Sequence, residues 1–330
     1  MSSSDIAYWL AIQEKHWLIP ARKVEQLFNQ FGSLEQLWKA DTFYLRDLGL
    51  SETSASAFLR HRNSVHLDDY ERLIDVLTRN KVTLLRYVDK NYPAALKDLG
   101  RSPDGPPLVL FHKGSLHDFS DCVAIVGTRE LSLHGHIMAR KLAKTIAKSG
   151  YNVVSGLARG TDTEAHCGAL EAPRGRTIAV LAWMDPIYPP ENVELAKDIM
   201  TKGGLLSEIY FRPSSKFAKL TPGKFVERNR ITSGLSRCVI AVESGKEGGT
   251  VHQVRIALSQ GRKVFALKPK TQNSRAKEGF KVFLDMGATP INSAKPVLDF
   301  LRKPRTQKAL EDRRIDSFSQ RSIITFGKGD

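Results

Sequence analysis

From Asp5 to about Arg62 the apolar positions fall three and four residues apart. Leu10, Leu18, Val24, Leu27, Phe28, Phe31, Leu34, Leu37, Trp38, Leu45 and Leu48 mark one face of a run of short helices. Phe31, Gly32 and Ser33 read as a helix end followed by a new cap. Leu67, Tyr70, Leu73, Ile74 and Leu77 continue the spacing and predict one more amphipathic helix. At Val82 the texture changes. Val82 to Arg86 reads as a short strand, Tyr92 to Leu99 as a short helix, and Pro103, Asp104, Gly105, Pro106 and Pro107 as a rigid turn before a strand at Leu108 to Phe111. After Asp121, compact apolar runs at Cys122–Val126, Tyr151–Val154, Thr177–Leu181, Leu205–Ser207, Cys238–Val242 and Lys263–Ala266 alternate with helical stretches, including Leu133 to Ser149.

Runs that are apolar throughout belong to strands covered on both sides. The predicted class is therefore α/β: a Rossmann-like, mostly parallel sheet with helices on both faces, preceded by a small all-helical domain of the SAM or helix-hairpin-helix kind. The predicted organisation is a helical domain over 1–65, a connecting helix over 66–81, an extended Rossmann-like domain over 82–302, and a polar basic tail over 303–330. The tail carries Lys303, Arg305, Lys308, Arg313 and Arg314 with few apolar anchors and reads as mobile.

Charge narrows the partners. Fifty Lys and Arg against 35 Asp and Glu in 330 residues leave a formal charge of +15, which points to a polyanion. No apolar run approaches the roughly 20 residues of a membrane span and the amino terminus lacks a signal-peptide pattern, so the reading is cytoplasmic, without membrane insertion. Cys122, Cys167 and Cys238 are odd in number and far apart, which suits reduced packing residues rather than disulfides or zinc ligands.

Ligands on open parallel sheets gather outside the carboxyl ends of the strands. The strand Cys122–Val126 runs directly into Gly127, Thr128 and Arg129. Glycine permits close backbone approach, Thr128 offers a short donor, and the Arg129 fork matches phosphate oxygens. The next strand ends in Ser155, Gly156, Leu157, Ala158, Arg159, Gly160, Thr161 and Asp162, where Ser155 and Gly156 extend the same anion pocket or the glycines simply form a tight turn. A third cluster, Lys224, Phe225, Arg228, Asn229 and Arg230, follows Lys216 and Lys219. It joins charge, an amide and a stacking ring, a mixture that suits single-stranded nucleic acid; the alternative is a solvated basic helix start. Gly248, Gly249 and Thr250, after Glu243, cradle a second phosphate or form a flexible turn.

Catalytic readings are weaker. Asp162 and His166 share a helix face, yet with Glu164 they match no metal-ligand spacing, and a capping Asp with a packed His explains them. His134 and His136 point different ways. No GxSxG elbow, Walker sequence or GxGxxG is present, so neither a catalytic residue, a metal nor a cofactor is assigned.

Taken in order, these residues resemble the DNA-processing protein A (DprA or Smf) family. The matching features are Val126, Gly127, Thr128 and Arg129; Val154 to Ala158 with Gly160, Asp162, Ala165 and His166; Thr177 to Leu181; Tyr188 and Pro189; Ser207 and Glu208; and Arg228 to Leu235. The resemblance implies a non-enzymatic, dimeric binder of single-stranded DNA that protects incoming strands and loads RecA recombinase in natural transformation. Gly127, Thr128, Arg129, Ser155 and Gly156 would then form the anion pocket, with Arg228, Asn229 and Arg230 extending the DNA path and Phe225 stacking. Where the family usually has a Ser-Gly-Ser turn, this chain has Glu247, Gly248, Gly249 and Thr250, and Val226 replaces a common proline. The Gly-Gly-Thr turn leans toward LOG-type nucleotide-binding proteins, so the alternatives are a nucleotide enzyme or sensor with Asp162 or Glu243 as acid or base, or a DNA-sensing component of a defence system.

Overall fold

A computed structural model describes residues 3–99, 105–116, 118–211, 222–270 and 274–303. The expected turn residues Pro103 and Asp104, the lysines at 216 and 219, and the tail from 304 lie outside the described residues.

Helices come first: α1 (Ser3–Gln13), α2 (Ala21–Phe31), α3 (Glu35–Lys39), α4 (Thr42–Asp47), α5 (Glu52–Ser64) and α6 (Leu67–Arg79), with a 3₁₀ turn at His16–Leu18. Their ends are chemically marked. Gly32, at φ +71°, closes α2 with its N–H on the Phe28 carbonyl, and Asp41 and Ser51 accept from the N–H groups of Tyr44 and Ser54 to open α4 and α5. Most of the apolar stripe read from the sequence is the buried face: Leu10, Val24, Leu27, Leu34, Leu37, Trp38 and Leu45 are buried, whereas Phe31 is exposed; Trp9 and Phe58, outside that stripe, are also inaccessible. This core runs on without a break into β1 (Thr83–Arg86) and β2 (Val109–Gly114), which follow α6 and flank the short helix α7 (Ala94–Lys97).

The remaining elements alternate: β3 (Cys122–Val126), α8 (Leu133–Lys148), β4 (Asn152–Ser155), α9 (Thr161–Leu170), β5 (Thr177–Val180), α10 (Val193–Lys202), β6 (Gly204–Ser207), α11 (Pro222–Leu235), β7 (Ser236–Ala241), α12 (Gly249–Ser259), β8 (Lys263–Leu267), α13 (Ser274–Asp285), β9 (Thr289–Ile291) and α14 (Lys295–Arg302). Among the described residues, nine strands form one sheet in the order β1-β2-β6-β5-β4-β3-β7-β8-β9. Within it only β2 runs against its neighbours, so the sheet is mostly parallel, as the apolar runs predicted. The two faces divide by the two-residue period of a strand. Val123 and Ile125 of β3 pack under α8, α9 and α14, whereas Ala124 and Val126 pack under α12 and α13.

The edge strand β9 carries no apolar run that would announce it. It is three residues long and centred on Pro290, which an edge strand tolerates because one of its sides makes no ladder. From β3 the chain proceeds to β4 on one side, while β7 pairs with β3 on the other. The order reverses at β3/β7, which places a crevice where their carboxyl ends meet. Among the described residues, no helix is long and apolar enough to cross a membrane.

Candidate nucleic-acid interface

The loop after β3 is held in place by its own backbone. Thr128 donates its N–H to the Glu243 carbonyl at 2.8 Å and accepts at its carbonyl from the Thr161 N–H at 3.1 Å and Thr161 Oγ1 at 3.0 Å. Gly127 is required by this packing, because a Cβ there would collide with the Thr161 side chain. The close approach that glycine permits is thus to the start of α9. The Arg129 side chain leaves this anchored loop for solvent and forms no hydrogen bond or ion pair among the described residues. Its guanidinium carbon stands 5.9 Å from the centre of the Phe225 ring, within cation–π range.

Phe225, in the first turn of α11, belongs to an aromatic cluster. Its ring meets Trp183 at 5.2 Å edge-on and Tyr188 at 5.9 Å. Trp183 is buried and anchored through Nε1 on the Pro186 carbonyl at 2.9 Å, while Tyr188 is 41% exposed. Reasoning from sequence assigns neither Trp183 nor Tyr188 a site role. Their signal is the placement of two aromatics among prolines directly after a strand's carboxyl end. Lys224 stands next to this cluster, paired with Glu227 at 2.6 Å, and the exposed Arg159 pairs with Glu191.

The rest of the predicted path turns inward. Ser155 is fully buried and donates to the Ile125 carbonyl at 2.7 Å. Gly156 gives its N–H to Asp162 Oδ2 at 3.2 Å, as does Ala158, so a carboxylate of the chain fills the nest that sequence assigned to a phosphate. Arg228 is also buried. Its Nη1 donates to the Val180 carbonyl at 2.9 Å, and its guanidinium crosses Gly156 so closely that any Cβ would collide with it. Burial pushes the Asp162 carboxyl above its ordinary pKa, against the opposing pull of the Arg228 charge.

Arg230 is withdrawn in the same way. It forms a fork with Glu208, Nη1 to Oε1 at 2.6 Å and Nη2 to Oε2 at 2.7 Å, and Nε donates to the Gly105 carbonyl at 3.0 Å. Side-chain exposures of 4% and 8% place this pair in the interior. Asn229 is buried, with its carbonyl taken by Gln253 Nε2 and Ser233 Oγ. The expectation that Arg228, Asn229 and Arg230 line an exposed path is therefore corrected: the run looked basic and accessible because its acidic partner and its carbonyl acceptors lie on other elements. Gly248, Gly249 and Thr250 do open outward. Gly248 has φ +117°, and a Cβ at either glycine would meet nothing within 4 Å, so the start of α12 is clear.

The remaining candidate acids and bases are engaged. Both Glu243 carboxylate oxygens accept from Ser132, from its N–H at 2.9 Å and its hydroxyl at 2.6 Å, at the opening of α8. Glu243 thus occupies the β3/β7 crevice where a doubly wound fold would receive a nucleotide phosphate. His166 is paired through Nδ1 with Thr177 Oγ1 at 2.7 Å rather than with Asp162, and burial pushes its pKa down to about 3. His136 meets Glu164 at 3.3 Å.

Comparison with known proteins agrees with this architecture. The family model described as DNA recombination-mediator protein A matches residues 83–302. Protein Smf of Synechocystis is 33% identical across 100% of this chain and 82% of its own length. The DNA processing protein DprA of Bacillus subtilis is 35% identical over 86% of this chain and 95% of its own. Among solved structures, DprA from Streptococcus pneumoniae superposes with a TM-score of 0.68 at 26% identity, covering 91% of this chain and 98% of that one. DNA processing protein A from Helicobacter pylori, described for its unique single-stranded DNA binding mode, superposes at 0.56 with 28% identity over 67% of this chain and 95% of its own. With its Rossmann-like sheet, its helical amino-terminal region and a family match spanning most of its length, the chain belongs to the DprA/Smf family of DNA-processing proteins.

Proposed function

We propose that this protein processes DNA by holding a single strand along the carboxyl edge of its sheet. The observation that carries the reading is the exposed Arg129 guanidinium, without an ion pair among the described residues, set against the Phe225, Trp183 and Tyr188 cluster. A cation beside the half-buried Phe225 ring and the exposed Tyr188 ring, with buried Trp183 bracing both, offers an unpaired nucleotide both a phosphate partner and a stacking surface. The open start of α12 at Gly248, Gly249 and Thr250 adds a further anion site, and Lys224 and Arg159, ion-paired with Glu227 and Glu191, become strand contacts where a phosphate replaces those carboxylates. Phosphate contacts and stacking carry little sequence information, so binding is expected to be salt-sensitive and tolerant of base order.

The role is binding rather than bond breaking. Asp162 and Glu243, the acids that a hydrolase reading would use, are each engaged by two hydrogen bonds from the chain itself. The same engagement of Glu243 disfavours a nucleotide enzyme or sensor of the LOG type. In this reading the protein works in the cytoplasm as a homodimer, shields an incoming strand and delivers it to RecA.

The test compares Arg129→Ala, Phe225→Ala and wild type by fluorescence anisotropy with labelled single- and double-stranded oligonucleotides. Loss of single-strand retention in both variants is expected. Unaltered affinity of Arg129→Ala at moderate salt refutes the site. Release of free base from nucleoside monophosphates by the wild type would favour the nucleotide reading instead.

A further inference from the structure

The helical domain carries one feature that neither its packing nor the Arg129 site uses. Of the four tryptophans, Trp9, Trp38 and Trp183 are buried, whereas Trp17 is 42% exposed. It sits in the turn His16–Leu18 between α1 and α2, and Lys15 Nζ lies 5.0 Å over its ring. The His16 ring braces the indole edge-on at 5.5 Å.

This turn is docked rather than loose. Just before it, Gln13 Oε1 accepts from the N–H groups of Leu108 at 2.7 Å and Val109 at 3.0 Å, tying the end of α1 to β2. His16 Nδ1 lies 3.0 Å from the Gln13 carbonyl and must donate there, which leaves Nε2 to accept from Arg230 Nη2 at 3.3 Å. Arg230 in turn folds back along α11, with Nη1 on the Glu227 carbonyl at 3.1 Å, and the Glu227 carboxylate holds Lys224. Burial pushes the His16 pKa down, against the Glu208 charge, and the charges of Arg230 and, more weakly, Lys224 act in the same direction as burial. A continuous set of contacts thus connects the Trp17 turn to the first turns of α11, which present Lys224 and Phe225.

We infer that Lys15 and Trp17 form a second base-stacking platform, by which the helical domain extends the path of a single-stranded nucleic acid beyond Phe225. A fixed, water-facing indole with an ammonium over it offers a π-face and a phosphate partner to an unpaired nucleotide. A duplex keeps its base faces covered and cannot use such a ring. The two platforms stand on different elements, the turn after α1 and the first turn of α11, so one strand that engages both spans the helical region and the carboxyl edge of the sheet. The inference rests on the single-strand reading of the Arg129 site, but its readout is separate.

The test measures affinity for oligothymidylates of about 4 to about 16 nucleotides, spanning short and long site sizes. Trp17→Ala should leave the shortest oligonucleotides unaffected and weaken the longest by about 5- to 150-fold, the loss of one stacked base. Trp17→Phe should retain most of the affinity. Unchanged affinity at every length, or the same loss at every length, overturns the inference. Binding should also quench tryptophan emission in the wild type, and most of that quench should vanish in Trp17→Phe; an equal quench in both proteins overturns it independently of how the Ala variant folds. Failure of Arg129→Ala to weaken binding would instead overturn the primary site, while the length dependence of Trp17→Ala remained readable.

Discussion

Replacing Arg230 with Ala separates a strand contact from a structural ion pair. The guanidinium and the Glu208 carboxylate make two parallel hydrogen bonds of 2.6 and 2.7 Å in a setting where only 4% and 8% of the side chains meet solvent. Removing one member leaves the other charged and desolvated, which costs about 3–5 kcal/mol. With each kcal/mol worth about 2–4 °C in a domain of about 150–250 residues, the melting temperature of Arg230→Ala should fall by about 6–20 °C. The Gly105 carbonyl loses its donor at the same time. Exchanging both partners for apolar residues of similar volume, Arg230→Met with Glu208→Leu, should recover most of that loss, because no orphaned charge remains. Arg129→Ala, measured alongside by calorimetry, should melt within about 2 °C of wild type, as surface substitutions do. The sign with pH follows from the same pair. Desolvation pushes the Glu208 carboxyl up, but the charge and hydrogen bonds of Arg230 more than reverse this and hold it below its ordinary value. Its contribution is therefore complete above the unfolded carboxyl pKa and disappears as pH falls through the folded one. A variant Arg230→Ala that melts like wild type and loses only oligonucleotide binding would refute this reasoning and return Arg230 to the strand path.

Three further outcomes are expected. In the wild type, log affinity for a single strand should fall linearly with log salt, and Arg129→Ala should make that slope shallower by about 0.7, since one phosphate fewer is neutralised; equal slopes would show that Arg129 neutralises no phosphate. Gly156→Ala should destabilise the fold by at least about 1–3 kcal/mol in a denaturant titration, because its methyl collides with the buried Arg228 guanidinium; a neutral effect would mean that Arg228 moves out at no cost. His166, held neutral by burial with a folded pKa of about 3 against an ordinary 6.5, lets the unfolded chain bind the extra proton between these values, so stability should decline as pH falls from about 6.5 toward about 3. His166→Leu should flatten that decline, and an unaltered acid limb in equilibrium unfolding would contradict it.

The elements whose burial is local were legible in the sequence. Cys122 to Val126 is apolar at every position because both faces of β3 are covered, and the helical spacing from Leu10 to Leu48, Phe31 apart, maps onto the buried face of the helical region. The placement of Arg129, exposed just after β3, was likewise legible, whereas Phe225 is half-buried among other rings. What the sequence concealed was pairing across distance. Arg228, Asn229 and Arg230 read as a basic patch because a charge run looks alike whether it meets water or an acid 22 residues upstream, as Arg230 meets Glu208. Gly156 read as a phosphate contact, but its missing Cβ makes room for Arg228. The docking of the helical domain through Gln13 and His16 depends on polar atoms that carry no periodicity at all.

These internal pairings bear on which anion the fold can accept. A doubly wound sheet offers anion sites at helix starts beside its carboxyl edge, and three lie near the reversal of strand order. The start of α8 is occupied by the Glu243 carboxylate through Ser132, and the turn into α9 by Asp162 through the N–H groups of Gly156 and Ala158. A nucleotide phosphate at either place would have to displace a carboxylate that is already hydrogen-bonded and shielded, and would meet its negative charge before doing so. The positive group left facing solvent there without a carboxylate among the described residues is instead Arg129, beside the aromatic cluster, with the third helix start at Gly249 still open. An exposed cation beside flat rings, with the neighbouring helix starts at α8 and α9 closed by carboxylates, suits a chain of phosphates better than one. In the proposed reading, the carboxylates that close the nucleotide sites are part of the preference for a polymer.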